Sequence, residues 1–448
     1  MLVLWHDNVR MGEVAINEDD RWTFCYDPNW QSFPLIPQFP LGEVDYTDAV
    51  HNKYLEWYLD NLLPEGAMRE AYAKQANIRP GNTWSLLLRY GRDVAGAISI
   101  LDEDELPDVL EYDYSAVTPQ ALAELIKTSR SGIPMMVQGQ HKRMSLAGAQ
   151  EKLTIYLNGE EIMLPEGAAP SSHILKPESA MEEYPLCPAN EYFCMQVAKE
   201  MGLSVPNTFL ATAYDERVYI VERYDRQVDK GGMVHRLHQI DLCQALGIPK
   251  SRKYEDEGGF TIHTLINQTV TLCRAQAKAK AEMVDWVIFN YLIGNSDAHA
   301  KNFSLLVNKA GFHPAPYYDL VCVEIYHKDN RLSNSIGGEM EAGYVEGAHW
   351  DAFAYLCNLP PKFVRERLKR LAFAVQKAAN SVSAQGVFTS EERDFIERIV
   401  DEVIMKRVDF IHRSLLDDVI KKPDDFKALN DKGKVIDERV IEEIFTRQ

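Results

Sequence analysis

Asp297 and Asn302 stand five residues apart in the stretch Gly294-Asn295-Ser296-Asp297-Ala298-His299-Ala300-Lys301-Asn302-Phe303, at the end of an apolar helical run. A carboxylate and a carboxamide at that interval have the spacing of a phosphoryl-transfer catalytic loop, where the Asp takes the proton of an attacking hydroxyl and the Asn holds Mg²⁺. Asp and Asn also favour turns, so the same pair would equally cap the end of a helix with no chemistry attached. Lys301, inside the loop, can steady a transferring phosphoryl group. His299 beside it is either a nucleotide-site residue or a packed, hydrogen-bonded histidine.

Such a loop needs phosphate-binding and metal-binding partners elsewhere in the chain. Downstream, the strand-like Phe303-Ser304-Leu305-Leu306-Val307 leads through Gly311 and two prolines to Tyr317-Tyr318-Asp319-Leu320. Asp319 lies where a second metal-binding acid belongs, one hairpin after the catalytic loop, although the Phe-Gly that normally follows is absent. Upstream, Ser145-Leu146-Ala147-Gly148-Ala149-Gln150-Glu151-Lys152 is a turn of small residues feeding a strand at 153–157 that ends in Asn158-Gly159, a hairpin signal. Small residues let backbone N–H groups close on phosphate oxygens. His173-Ile174-Leu175-Lys176-Pro177 then puts a lysine at the end of a short apolar strand, within reach of α- and β-phosphates. Singly, a Gly-Ala turn is a turn and a strand-end lysine is a solvated lysine. Four such pieces in kinase order carry the argument.

With these residues in view the chain resembles the HipA family, the serine/threonine-kinase toxins of bacterial toxin–antitoxin modules. The resemblance rests on 145–152, His173 to Pro177, Asn190-Glu191-Tyr192, Val221-Glu222-Arg223-Tyr224-Asp225-Arg226, His238-Gln239 with Asp241, Lys253-Tyr254-Glu255, Asp297 to Asn302 and Tyr318-Asp319. Asn61-Leu62-Leu63-Pro64-Glu65-Gly66 and Gly91-Arg92-Asp93 match the family's amino-terminal subdomain. It implies an α+β, protein-kinase-like two-lobed fold, with an amino-terminal β-rich subdomain and a mainly helical carboxy-terminal lobe. It implies ATP and Mg²⁺ as cofactors, with Asp297 and Lys301 catalytic and Asn302 and Asp319 on the metal. Ser145, Ala147, Gly148, Ala149, Gln150, Glu151, Lys152, Lys176, Glu191 and His299 would surround the nucleotide. Glu222 and Tyr224 would lie on the hinge, whose backbone would hydrogen-bond adenine. It further implies autophosphorylation at Ser145 and a HipB-like DNA-binding antitoxin as partner, with DNA met only through it. The protein substrate would belong to the translation machinery, an aminoacyl-tRNA synthetase or another translation factor.

The elements that must position these residues follow from length and pattern. A chain of 448 residues exceeds one compact core. The acidic Asp102-Glu103-Asp104-Glu105 before Leu106-Pro107 marks a boundary, so the expected parts are 1–110, a kinase amino lobe at 111–235, a helical lobe at 236–420 and an appendix at 421–448. Residues 1–35 read as two hairpins and 45–75 as helical. Glu191 opens an amphipathic helix at 191–200, where it either pairs with Lys176 or serves as a favourable charge in the first turn. After 236, helices are expected at 239–247, 260–275 and 280–294. Phe363, Leu368, Leu371, Phe373 and Val375 mark a further helix. Thr389-Ser390-Glu391-Glu392 is a capping-box pattern before another that buries Phe395, Ile396, Ile399, Val400, Val403 and Ile404.

The net charge of −19 is concentrated: residues 1–120 carry 21 Asp or Glu against 8 Lys or Arg. DNA binding is dominated by phosphate neutralisation, so this acidic third does not itself lie on DNA; it meets a basic partner or simply faces water. Seven cysteines without a C-x-x-C pair argue against a disulfide framework and a zinc site. No apolar run reaches the roughly 18 residues of a membrane span, and the first residues lack the marks of a signal peptide, so a cytoplasmic protein with no membrane contact is expected. Two other classes compete: a catalytically inactive corepressor acting with its antitoxin, and a kinase for a small molecule or lipid. The intact set Lys176, Asp297, Asn302 and Asp319 speaks against the first.

Overall fold

A computed structural model describes residues 1–42, 45–107, 112–138, 148, 150–167, 169–326 and 331–416. Leu2–His6, Val9–Ile16 and Trp22–Tyr26 form one antiparallel meander rather than two separate hairpins, with Val9–Ile16 shared between both turns. Ile98–Asp102 and Asp45–Tyr46 complete a five-stranded sheet. Past Tyr26 the chain leaves the sheet because the Tyr26 hydroxyl pins it, donating to the Phe39 carbonyl at 2.6 Å and accepting from the Leu35 N–H at 2.8 Å. Helices Ala49–Asp60 and Gly66–Ala76 pack there, the first capped by Asp48, which accepts from the N–H groups of Val50 and His51.

The second sheet is antiparallel and six-stranded, in the order Thr208–Ala213, Glu216–Glu222, His173–Pro177, Leu153–Asn158, Glu161–Pro165, Tyr114–Ala116. Alternation buries Ile155, Leu175, Val218 and Ile220 on its core side. Helix Cys187–Glu200 packs on the sheet, with Pro188 in its first turn and Phe193, Val197 and Ala198 buried.

The rest is mainly helical. Residues 239–241, expected as helix, belong to the strand His238–Asp241, which pairs with Ser304–Asn308; the helix is only Leu242–Leu246, opened by a capping box in which Asp241 accepts from the Gln244 N–H. Ile262–Leu272 and Gln276–Leu292 follow, then the long Pro361–Ser383 and Ser390–Arg398. On Pro361–Ser383 the buried stripe runs Val364, Leu368, Leu371, Val375, and Phe373, two residues out of phase, is 68% exposed. Thr389 and Glu392 make the capping box expected of them, and Phe395, Ile396, Ile399, Val400, Val403 and Ile404 are buried. All seven cysteines are free thiols. No helix among the described residues is long and apolar enough to cross a membrane.

A buried ionic cluster fastens the first sheet's subdomain to the second. Asp93, fully buried, takes Arg226 at 2.7 Å, Arg223 at 3.2 Å and the Ser171 hydroxyl at 2.7 Å. Asp225 binds Arg223 at 2.8 Å and accepts the Gly96 N–H at 2.7 Å. Gly96 has φ of +86°, and a Cβ there would stand 3.0 Å from the Gln239 carbonyl oxygen, so the close approach needs glycine. Gly91-Arg92-Asp93 and 221–226, two of the stretches that carry the family resemblance, thus meet in one interface.

Candidate active site

Lys176 is the centre of the site. It projects from the strand His173–Pro177 with only 7% of its side chain exposed and binds Glu191 through both carboxylate oxygens, at 2.8 and 3.0 Å. It also pairs with Asp319. Because the helix starts at Cys187, Glu191 lies in its second turn and the first-turn alternative falls away. Burial would lower Lys176, but Asp319 and Glu191 overcome it and hold the ammonium above its ordinary range. Burial would raise Asp319, and Lys176 and Lys152 bring it down to about 2. Burial drives Glu191 the other way, up to about 7 despite Lys176.

Asp319 has φ of +52°, a left-handed backbone uncommon outside glycine and of the kind concentrated at functional sites. Asn295 supports it, its amide donating to the Asp319 carbonyl at 3.2 Å and to Asn290 Oδ1 at 2.7 Å. Gly294, at φ +68°, accepts from the N–H groups of Val323 and Glu324, both at 3.0 Å, so the segment after Asp319 is laid directly on the entry to the loop that carries Asp297 and Asn302.

In that loop the Asn302 amide donates to the Asp297 carbonyl at 2.9 Å, and Asn295 Oδ1 accepts the Asp297 N–H at 3.2 Å. The Asp297 carboxylate accepts the Tyr254 hydroxyl at 2.5 Å. Burial and the neighbouring Asp297 charge push the Tyr254 phenol well up, so it stays protonated and donates. His299 is buried against the Tyr254 ring, 4.9 Å between centroids, and burial lowers it to about 4; it is a neutral packed histidine here. Lys301 pairs with Glu65 of the amino-terminal subdomain.

Among the described residues, Lys152 couples to this centre and the other expected ones fall at its edges. Ser145, Ala147 and Ala149 lie outside the described residues, as does 421–448. Gly148 forms a parallel bridge with Pro64. Gln150 is exposed, and Glu151 turns away to accept the Met135 N–H at 2.9 Å, burial raising it to about 7. Lys152 is lowered to about 8, by burial first and then by the charge of Lys176. Glu222 ends the strand Glu216–Glu222, its carboxylate accepting from Asn207 at 2.7 Å. Tyr224, just beyond, donates to Gln239 Oε1 at 2.9 Å and tilts against Tyr318. Sequence reasoning gave no role to Glu65, Lys253 or Tyr254. The signal available was that Asn61 to Gly66 and Lys253 to Glu255 are among the stretches carrying the resemblance.

The oxygens of Asp319 and Asn302 are hard donors of the type that suits Mg²⁺. With its nitrogen committed to the Asp297 carbonyl, the Asn302 amide keeps its oxygen for another partner. No group of three His, Cys, Asp or Glu among the described residues forms a metal cage. Magnesium that arrives with phosphates needs only one or two protein ligands, so the pair fits.

A lysine bound to a helix glutamate in one lobe, and joined through Asp319 to a helical lobe whose loop carries Asp297 and Asn302, has the arrangement of a protein kinase. The HipA-like C-terminal domain family matches residues 144–379 and the HipA N-terminal domain family residues 2–101. The serine/threonine-protein kinase toxin HipA of Shewanella oneidensis is 30% identical over 390 residues, covering 84% of this chain and 87% of that one. A chain from the Shewanella oneidensis MR-1 complex of HipA, HipB and operator DNA superposes with a TM-score of 0.81 at 28% identity, covering 92% of this chain and 98% of the other. The chain belongs to the HipA family and is a serine/threonine-protein kinase.

Proposed function

We propose that this chain is a growth-arresting toxin that transfers the γ-phosphoryl group of ATP to a serine or threonine of a translation-machinery protein and is neutralised by a HipB-like DNA-binding antitoxin. The observation that carries the kinase chemistry is Lys176 held by Glu191 and Asp319 beside the Asp297–Asn302 loop. The parts of the machine are 1–110, 111–235 and 236–420. The partner follows the HipA, HipB and operator DNA assembly of the Shewanella oneidensis protein.

Asp297 receives the proton of the acceptor hydroxyl as its oxygen bonds to the γ-phosphorus. The bond from that phosphorus to the β–γ bridging oxygen breaks, its electron pair leaves on ADP, and the product is a phosphoserine or phosphothreonine. Lys176 orients the α- and β-phosphates and Lys301 faces the transferring group. Asn302 and Asp319 would hold Mg²⁺, which neutralises phosphate charge. The hinge after Glu222 and Tyr224 would seat adenine, and 145–152 would cover the phosphates. Tyr254 engages one Asp297 oxygen, Oδ1, so the acceptor hydroxyl would use the other or displace Tyr254.

Asp297→Asn is expected to lower phosphoryl transfer by about 10²–10⁴-fold while ATP still binds, since the carboxylate acts on the hydroxyl. Asp319→Asn is expected to weaken the Mg²⁺-dependent part of ATP binding, because an amide is a poorer ligand for a hard cation. Calorimetry with and without Mg²⁺, together with phosphoproteomics after induced expression of parent and Asp297→Asn, reads both and identifies the acceptor. Wild-type transfer by Asp297→Asn refutes the assignment, and harmless overexpression of active kinase refutes the toxin.

A further inference from the structure

Glu65 belongs to neither kinase lobe, yet its carboxylate is shared between two lysines at the active site. One oxygen takes Lys301 and the other takes Lys253 at 2.8 Å. The contact is enclosed, with side-chain exposures of 13% for Glu65 and 6% for Lys301. Burial would raise Glu65, and the two ammonium groups overcome it to hold the carboxyl down at about 2.

Backbone contacts extend from the same corner in two directions. The Glu65 N–H donates to the Gly148 carbonyl at 3.2 Å, and Pro64 forms the parallel bridge with Gly148, so Gly148 is fastened here. On the other side the Lys253 carbonyl accepts the Ala300 N–H of the catalytic loop at 3.2 Å, and the next residue, Tyr254, holds Asp297. Lysine carries a point charge on a flexible four-carbon stem, so its placement depends on a fixed partner. Glu65 is that partner, and one carboxylate oxygen leaves ammonium protons of Lys301 for another acceptor.

We propose that Glu65 is a positioning residue of the phosphoryl-transfer site, aligning Lys301 beside the transferring group and making the amino-terminal subdomain part of the catalytic unit. This rests on the roles given above to Asp297 and Lys301. Burial would lower Lys301, and Asp241 and Glu65 reverse that to hold it raised.

The test is ATP turnover by the full chain, measured as kcat and KM for ATP, for wild type, Glu65→Gln, Glu65→Asp and Asp297→Asn. Glu65→Gln is expected to lower kcat by about tenfold or more with KM within about twofold, because displaced catalytic groups cost rate before binding. Glu65→Asp keeps the charge and regains part of the rate, with KM for ATP near the wild-type value. An unchanged kcat overturns the proposal, as does a lowered kcat that Glu65→Asp does not raise above that of Glu65→Gln, which is the signature of subdomain packing alone. If Glu65→Gln does not fold, a Glu65→Asp enzyme with wild-type kcat and KM overturns it, and one with lowered kcat and wild-type KM supports it. Activity surviving in Asp297→Asn would instead strike the reading on which the proposal rests.

Discussion

The side-chain amide of Asn190 brackets the backbone of Cys322, donating to its carbonyl at 2.9 Å and accepting its N–H at 2.9 Å. Asn190 precedes Glu191, and Cys322 follows Asp319 by three residues, so one amide holds together the two segments whose carboxylates share Lys176. Asn190 also donates to the Tyr326 hydroxyl at 3.0 Å. The lobes are therefore joined at the place where the phosphates and metal are expected.

Asn190→Ala strands a buried N–H and a buried carbonyl at Cys322. The expected loss is about 2 kcal/mol of stability, the cost of leaving such groups unsatisfied. Urea unfolding measures it. ATP affinity is expected to fall as well, because Glu191 and Asp319 lose their common brace; a variant of wild-type stability and affinity would show that the bracket is incidental.

His238 gives a pH signature. Its Nε2 lies 2.7 Å from the Leu35 carbonyl and its ring stacks on Phe33. Burial lowers its pKa from 6.5 to about 4, outweighing the Leu35 contact. Between those values the unfolded chain binds a proton that the folded chain does not. The contribution is complete above about 6.5 and is lost as pH falls toward 4, about 3 kcal/mol in all. Buried carboxyls with raised pKa, such as Glu151 and Asp241, slope the other way. The readout is therefore a difference: the stability of wild type minus that of His238→Gln rises between pH 4 and 6.5 and is flat above. A constant difference would mean that the imidazole titrates alike in both states.

Ser145 is expected to be phosphorylated by the enzyme itself. A phosphate there carries about −1.5 to −2 charge and competes with ATP for the same N–H donors and lysine. Incubation with Mg²⁺-ATP followed by mass spectrometry locates it, and activity before and after tells whether it closes the site. An active enzyme with Ser145 unmodified, or a phosphorylated form with undiminished turnover, removes the switch.

What the sequence disclosed was local. Asp297 and Asn302 lie in one short loop, and Lys176 lies on a strand whose alternation is visible, so spacing alone singled them out as candidates. Glu191 was found by order in the chain, and Pro188 already marked the earlier helix start that decides between its two readings. Residues 239–241 were misread because their strand exists through pairing with 304–307, some 65 residues on, and nothing local reports that partner. Glu65 lies 236 residues from Lys301, and Asp93 lies 133 from Arg226. Such ion pairs depend on how whole subdomains dock, and no periodicity in the chain encodes them.

Lys176 faces Glu191 on one side and Asp319 on the other, so removing it leaves two carboxylates across the vacated space. Lys176→Met is expected to destabilise the protein by about 3 kcal/mol at pH 7, below the full cost of an unpaired buried charge because Asp319 is 44% exposed on its side chain. The sign of its pH dependence follows from the same geometry. Without the ammonium, burial and mutual repulsion raise the carboxyl pKa values above those of the unfolded chain, and the folded state takes up a proton. Stability relative to wild type is then greatest at acidic pH and is lost as pH rises through the raised values. Adding Glu191→Gln to Lys176→Met removes one of the two charges and is expected to recover most of the loss, while phosphoryl transfer stays abolished. Urea midpoints for the three proteins between pH 5 and 8, with ATP turnover alongside, make the comparison. If Lys176→Met tracks wild type at every pH, or the double variant is no more stable than the single one, the three groups do not form the ionic unit on which the site is built.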